Sequence, residues 1–261
     1  MFTIEFRNHV RQRILELAKA DPRVTAGAFT GSMAFEAGDR WSDIDIAFGV
    51  AGEIEPEAVL NDWTLVLHRE FEVLDHFDLH SGPSIYRVFL LLSGLEADVA
   101  VTPAEAFGAR GPHFRALFGT PKKLEPAKQP DASFLIGLCW HHVLHARVCI
   151  ERHKPWQAEY WISEIRHHLL ELACLRLGEN PSHGRGFDHL PSLMRDPLVN
   201  TLVRSLEGLE LRRALAETTT CFISELKQWD APRCARLLPV LQEFGNLQTS
   251  ESSAPHEQTE R

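Results

Sequence analysis

An α/β (α+β) architecture follows from three features of the sequence. Short apolar runs of strand character are confined to the N-terminal part, helical periodicity runs through the C-terminal half, and a stretch rich in glycine and proline lies between them. The expected order is an N-terminal domain with a small mixed sheet over 1–104 and a loop-rich connection over 105–130. A C-terminal α-helical bundle over 131–247 and a disordered polar tail over 248–261 follow.

Each element has a local reason. Ile4, Val10, Ile14, Leu15, Leu17 and Ala18 recur at helical spacing, and Asp21-Pro22 ends that helix because proline cannot continue it. The apolar run Ala26 to Phe29 leads into Gly31-Ser32, and Asp43-Ile44-Asp45 opens a second apolar run. Glu55-Pro56-Glu57 starts a second helix, which runs to the neighbourhood of Phe71. Val73 to Leu79 and Ile85 to Leu92 read as strands around the turn Ser81-Gly82-Pro83, and Ser93-Gly94 turns the chain into the strand that carries Asp98.

Thr102 to Pro130 holds many glycines and prolines and the pair Lys122-Lys123, and is expected to be loop with at most short helices. Beyond it, Ser133 to Arg152 is helical in pattern. From Trp156 to Leu177, Ile162, Ile165, Leu169, Leu172 and Leu175 share one face, and Gly178 ends the helix. Pro197 to Leu206, Leu209 to Trp229 and Arg233 to Phe244 complete the bundle.

Composition limits the function classes. With 27 basic and 36 acidic residues the formal net charge is −9, which disfavours nucleic acid as a partner and favours cationic small molecules. The five cysteines fall in the second half without a C-x-x-C, so neither a disulfide framework nor a zinc ribbon is suggested. The N-terminus lacks a signal-peptide core, and the longest apolar runs fall short of the roughly 20 residues of a membrane span. A cytoplasmic protein with no membrane partner is expected. His141, His142 and His145 cluster, but His142 occupies the Glu position of an H-E-x-x-H motif and no zinc site is expected.

The chemistry concentrates between Gly31 and Asp98. On a strand, Asp43 and Asp45 point the same way, with Ile44 and Ile46 toward the core. At 4 Å and an effective dielectric near 20, two such carboxylates repel by roughly 4 kcal/mol. A hard divalent cation, Mg²⁺ or Mn²⁺, offsets that cost. Gly31 lets the backbone approach a phosphate, and Ser32 adds a hydroxyl and an N–H at the start of a helical turn.

Gly31-Ser32, the intervening ten residues and Asp43-x-Asp45 resemble the signature of the polymerase β type nucleotidyltransferases. The wording SDIDIAF, Ser42 to Phe48, is similar to the antibiotic-modifying branch, the aminoglycoside and lincosamide nucleotidyltransferases. The resemblance implies a metal site completed by a third carboxylate, placed here at Asp98, which also serves as general base. It implies transfer of a nucleoside monophosphate, AMP from ATP being the first choice, to a hydroxyl of a small molecule such as an aminoglycoside or lincosamide. Asp43, Asp45 and Asp98 are then the catalytic and metal-binding residues, and Gly31, Ser32 and Ser42 bind nucleotide.

A triphosphate needs further positive charge, expected from the helical domain. Lys154 is the first candidate and Tyr160 the candidate aromatic near the base, with Arg166 a few turns on. The expected partners are a nucleoside triphosphate and a small-molecule acceptor, with monomer and homodimer both open. Two other readings stay open: the same chemistry on tRNA or a protein, and a nucleotide-binding module without transferase activity.

Overall fold

Thr3 opens the first helix, α1 (Ile4–Ala20), its hydroxyl accepting the Phe6 N–H at 3.1 Å; such a cap stabilises by about 1 kcal/mol. The computed structural model describes residues 1–31, 34, 39–126 and 128–245. The chain divides into two units, Met1–Lys128 and Gln129–Arg261. The tail expected over 248–261 lies outside the described residues.

In the first unit α1 is followed by β1 (Val24–Thr30), β2 (Ile44–Val50), α2 (Pro56–Glu70), β3 (Val73–Ser81), β4 (Ser84–Leu91) and β5 (Glu96–Pro103). Three short strands come next: β6 (Gly108–Ala109), β7 (Phe114–Phe118) and β8 (Lys122–Lys123). The main sheet has the order β3-β4-β5-β2-β1-β7, and β6 pairs with β8 apart from it. Within the main sheet β2 and β5 run parallel and the other neighbours antiparallel, so the sheet is mixed.

Alternation gives the sheet two unlike faces. Ile44, Ile46 and Phe48 of β2 and Ala97, Val99 and Val101 of β5 join Val10 and Ile14 of α1 and Val59, Leu60 and Trp63 of α2 in one buried cluster. On the opposite face Ala28, Ala47 and Ala100 stand side by side in register, with Phe107 against them. That face is floored by small side chains and carries no helix among the described residues of the unit.

One buried charge is paired with its opposite. Arg87, on the helix-packed face of β4, forms a bidentate pair with Asp78 at 2.6 Å and also donates to Asn61 and Thr64 of α2. Three elements are thereby tied through one guanidinium.

The connection expected to be loop is partly sheet. Phe114–Phe118 pairs antiparallel with β1 and forms one edge of the main sheet. Five residues flanked by glycine and proline are too short to show alternation, and the pairing that makes them a strand is with residues far earlier in the chain. Gly119 turns the chain at the strand's end at φ +73°, where a Cβ would meet the Thr25 carbonyl at 2.2 Å.

The second unit is helical: α3 (Ala132–Glu151), α4 (Pro155–Leu177), α5 (Ser192–Val199), α6 (Gly208–Trp229) and α7 (Ala231–Gly245). Gly178, at φ +76°, ends α4 as expected. The helix expected over Pro197 to Leu206 is instead α5, which begins earlier and stops at Val199. The carbonyls of Asn200, Thr201 and Leu202 are taken by Arg213 and Arg166 side chains, which supply the partners a continued helix would have given. By length and composition α3 could cross a membrane. Its Ile136, Cys139, Val143, Ala146 and Ile150 lie instead in the apolar core shared with α4 and α6.

Candidate active site

β2 and β5 run parallel with Asp45 directly opposite Asp98. Register partners on adjacent strands project to the same face about 5 Å apart, so the two carboxylates share the open face of the sheet. Asp43 sits just before β2 begins, and Ile44 and Ile46 beside it are buried on the other face. The local pattern thus places Asp45, and the β4–β5 hairpin brings Asp98 to it.

Gly31 closes the site from the end of β1. It adopts φ +58°, and a Cβ there would lie 2.0 Å from Asp45 Oδ2. The turn fits only a residue without a side chain, because the Asp45 carboxylate occupies that space. Ser32, the other half of the Gly-Ser pair, lies outside the described residues.

Asp98 is electrostatically the most perturbed of these groups. Burial first, then Asp45, Glu96 and Asp43, push its carboxyl up to about 7. Its Oδ1 is buried and has no hydrogen-bond partner among the described residues. An orphaned buried oxygen facing a second carboxylate is a donor set suited to a hard divalent cation. Among the described residues no three His, Cys, Asp or Glu side chains converge as they stand on one ion position, so Asp43 would have to move to complete such a set.

The loop before β2 is held from α1. The buried Arg7 donates through Nη1 to the carbonyls of Asp39 and Ser42, the latter at 2.8 Å. The Ser42 hydroxyl accepts the Asp39 N–H at 2.9 Å and reaches Asp39 Oδ1 at 3.1 Å. The Ser42 hydroxyl, the expected phosphate contact, thus also braces the loop that presents Asp43.

Sequence reasoning missed a cluster of arginines in this unit. Arg11 of α1 and Arg115 of β7 both lie against the Phe29 ring, at 5.1 and 5.2 Å from its centroid. Burial, Arg7 and Arg115 together lower the Arg11 pKa, so three guanidinium groups repel one another close to the β1 end that carries Gly31. The available signal was the i, i+4 pair Arg7 and Arg11 on α1, which reads in isolation as a solvated helix face.

Lys154 and Tyr160 belong to the second unit. Lys154 precedes α4, its backbone N–H donating to Cys149 O at 2.9 Å and its side chain exposed. Tyr160 is half-exposed, with its ring 4.9 Å from that of Trp161. Arg166 is engaged within the unit, at Thr201 O and Ser163 Oγ. His141, His142 and His145 pack around Trp161 as rings rather than as ligands of one ion.

No family model and no curated protein sequence matches the chain. Among solved structures it is similar to an aminoglycoside 6-adenyltransferase from Bacillus subtilis at 14% identity and a TM-score of 0.40, over 88% of this chain and 95% of that one. It is also similar to a nucleotidyltransferase-like protein from Exiguobacterium sibiricum 255-15 at 14% identity and a TM-score of 0.40, over 91% of this chain and 80% of that one. Both likenesses are loose, and the functional reading rests on the side chains just described.

Proposed function

We propose that the chain is a nucleotidyltransferase that moves a nucleoside monophosphate, AMP from ATP in the first instance, to a hydroxyl of a small molecule. The observation that carries this is the facing pair Asp45 and Asp98, set against a turn that only Gly31 can make. A pair of carboxylates held together on the open face of the two central strands, one with a buried oxygen that lacks a hydrogen bond among the described residues, is costly unless it serves a ligand.

In the reaction the acceptor oxygen bonds to the α-phosphorus, the bond from that phosphorus to the bridging oxygen breaks, and pyrophosphate leaves. Asp45 and Asp98, with Asp43, would hold Mg²⁺ or Mn²⁺, which when bound neutralises charge growing on the phosphate oxygens. Asp98 takes the proton of the attacking hydroxyl. The Gly31 turn offers backbone to the leaving phosphates, and Arg11 and Arg115, against Phe29 on the helix-packed face, add positive potential only from across the sheet. Ser32, Ser42, Lys154 and Tyr160 remain proposed nucleotide contacts. Aminoglycosides and lincosamides are the acceptor classes that the sequence resemblance implies.

A second reading, a nucleotide-binding module without transfer, is favoured by the lack of three converged ligand side chains among the described residues. One experiment separates the two: incubation with Mg²⁺, α-labelled ATP and a panel of hydroxylated small molecules, following labelled product and pyrophosphate. Transfer that Asp45→Asn and Asp98→Asn both abolish supports the enzyme. Mg²⁺-dependent ATP binding with no pyrophosphate for any acceptor supports the module.

A further inference from the structure

The open face of the sheet holds a cavity of about 520 Å³, well within the size range of small-molecule sites. Its floor is Ala47 and Ala100, which follow Asp45 and Asp98 by two positions on their strands. Two residues of strand rise about 6–7 Å, so the cavity begins one side-chain step from the carboxylates and on the same face. Tyr86 and Phe107 form apolar walls, and Thr102 donates to Ser84 Oγ at 2.8 Å on the polar side.

The charge of this lining differs from that of the whole chain. A net charge of −9 predicts an attraction for cations, yet no acidic side chain lines the cavity among the described residues. Arg110 does line it, donating to the Glu125 carbonyl at 3.2 Å. A ligand bearing several ammonium groups would surrender its hydration here and meet a guanidinium instead of counter-charges. A ring laid on the alanine floor against Tyr86 would bury apolar surface at no such cost.

In-line displacement puts leaving group and attacking oxygen on opposite sides of phosphorus. With the leaving phosphates at the Gly31 turn on β1, the attacking hydroxyl arrives from the side of β5; the cavity spans the open face from Thr30 and Phe114 to Ala100, Thr102 and Tyr86, and its β5–β4 end lies on that side. We propose that the cavity is the acceptor subsite, and that its acceptor is a hydroxyl-bearing small molecule with an apolar or aromatic ring and no cluster of ammonium groups. This rests on the nucleotidyl-transfer reading above and narrows its acceptor.

The test is calorimetric titration of the full chain at about 150 mM salt, a physiological ionic strength that screens surface charge. One probe is 4-nitrophenyl β-glucoside, an aromatic ring with sugar hydroxyls; the other is neomycin, a polyammonium. Wild type, Ala100→Leu and Tyr86→Ala are compared, and Mg²⁺–ATP affinity is measured in parallel. The expected result is millimolar glucoside binding that each substitution weakens about tenfold, with ATP affinity unchanged.

Neomycin binding that survives Ala100→Leu lies outside the cavity and agrees with the proposal. Neomycin binding that Ala100→Leu abolishes overturns it, as does glucoside binding that is absent or indifferent to both substitutions. Weakened ATP binding in place of weakened glucoside binding overturns it too, because the cavity would then hold the nucleoside. Should Ala100→Leu fail to fold, Tyr86→Ala, at a half-exposed side chain, decides the matter by its effect on the glucoside and ATP. Failure of the transfer reading is distinct: the wild type would then release no pyrophosphate from ATP with any acceptor, whatever its affinity for the glucoside.

Discussion

Replacing Asp98 by Asn should make the metal-free protein more stable at alkaline pH while abolishing transfer. The Asp98 carboxyl titrates at about 7 in the folded chain against 3.8 for an unperturbed group. Between those values the native state holds a proton that the unfolded chain has released, so wild-type stability falls as pH rises through the window. From pH 5 to 7 the shift corresponds to at most about 3 kcal/mol at 1.36 kcal/mol per unit. Solvent screening at a half-buried position reduces that to roughly 1–2 kcal/mol.

Asn has no charge to release, so Asp98→Asn should gain that amount on wild type between pH 5 and pH 8 in EDTA. Urea denaturation at the two pH values measures it. Adding Mn²⁺ at pH 8 should then stabilise wild type and leave the variant unchanged, as ligand linkage requires. An advantage that does not grow with pH, or equal stabilisation of both proteins by Mn²⁺, would refute the account of Asp98 as a buried, cation-seeking carboxylate.

Other substitutions test neighbouring parts of the structure. Gly31→Ala should cost about 1–2 kcal/mol in thermal or urea melts from its left-handed backbone alone, and should abolish transfer because its Cβ displaces the Asp45 carboxylate; a fully active variant would contradict the turn geometry. Arg11→Ala should weaken ATP binding about tenfold at low salt and progressively less as salt rises, since the lost contribution is a screened charge; calorimetry across a salt series checks this. Arg87→Ala should destabilise by about 3–5 kcal/mol in urea, because it strands Asp78 and the Asn61 and Thr64 oxygens around a nearly buried position; a loss below 1 kcal/mol would show that the network is not needed.

What was legible in the sequence was what short-range periodicity encodes. Asp45 and its buried neighbours follow from alternation within one strand, whereas Asp98 is what the family resemblance implies, supported by the cost of a charge inside the apolar run 95–101. The helices of the second unit were visible for the same cause, apart from α5, whose end depends on carbonyls captured by Arg166 and Arg213. What stayed hidden depends on pairing across long chain separations. Arg7 looks like any surface arginine of a helix until the loop at Asp39 and Ser42 folds onto it and it becomes nearly inaccessible. Arg115 carries no meaning until its strand finds Phe29. Net charge is likewise a sum over the whole surface and does not report the described lining of the cavity beside Ala100, which holds Arg110 and no acidic side chain.

The late strand Phe114–Phe118 bears on how this chain can be divided. A fragment ending at residue 104, where the strand-like pattern fades from the sequence, would leave the flank of Val24–Thr30 with its N–H and C=O groups bare. Naked strand flanks recruit other copies, so such a fragment should precipitate or multimerise, whereas one carried through Lys128 keeps its own cover.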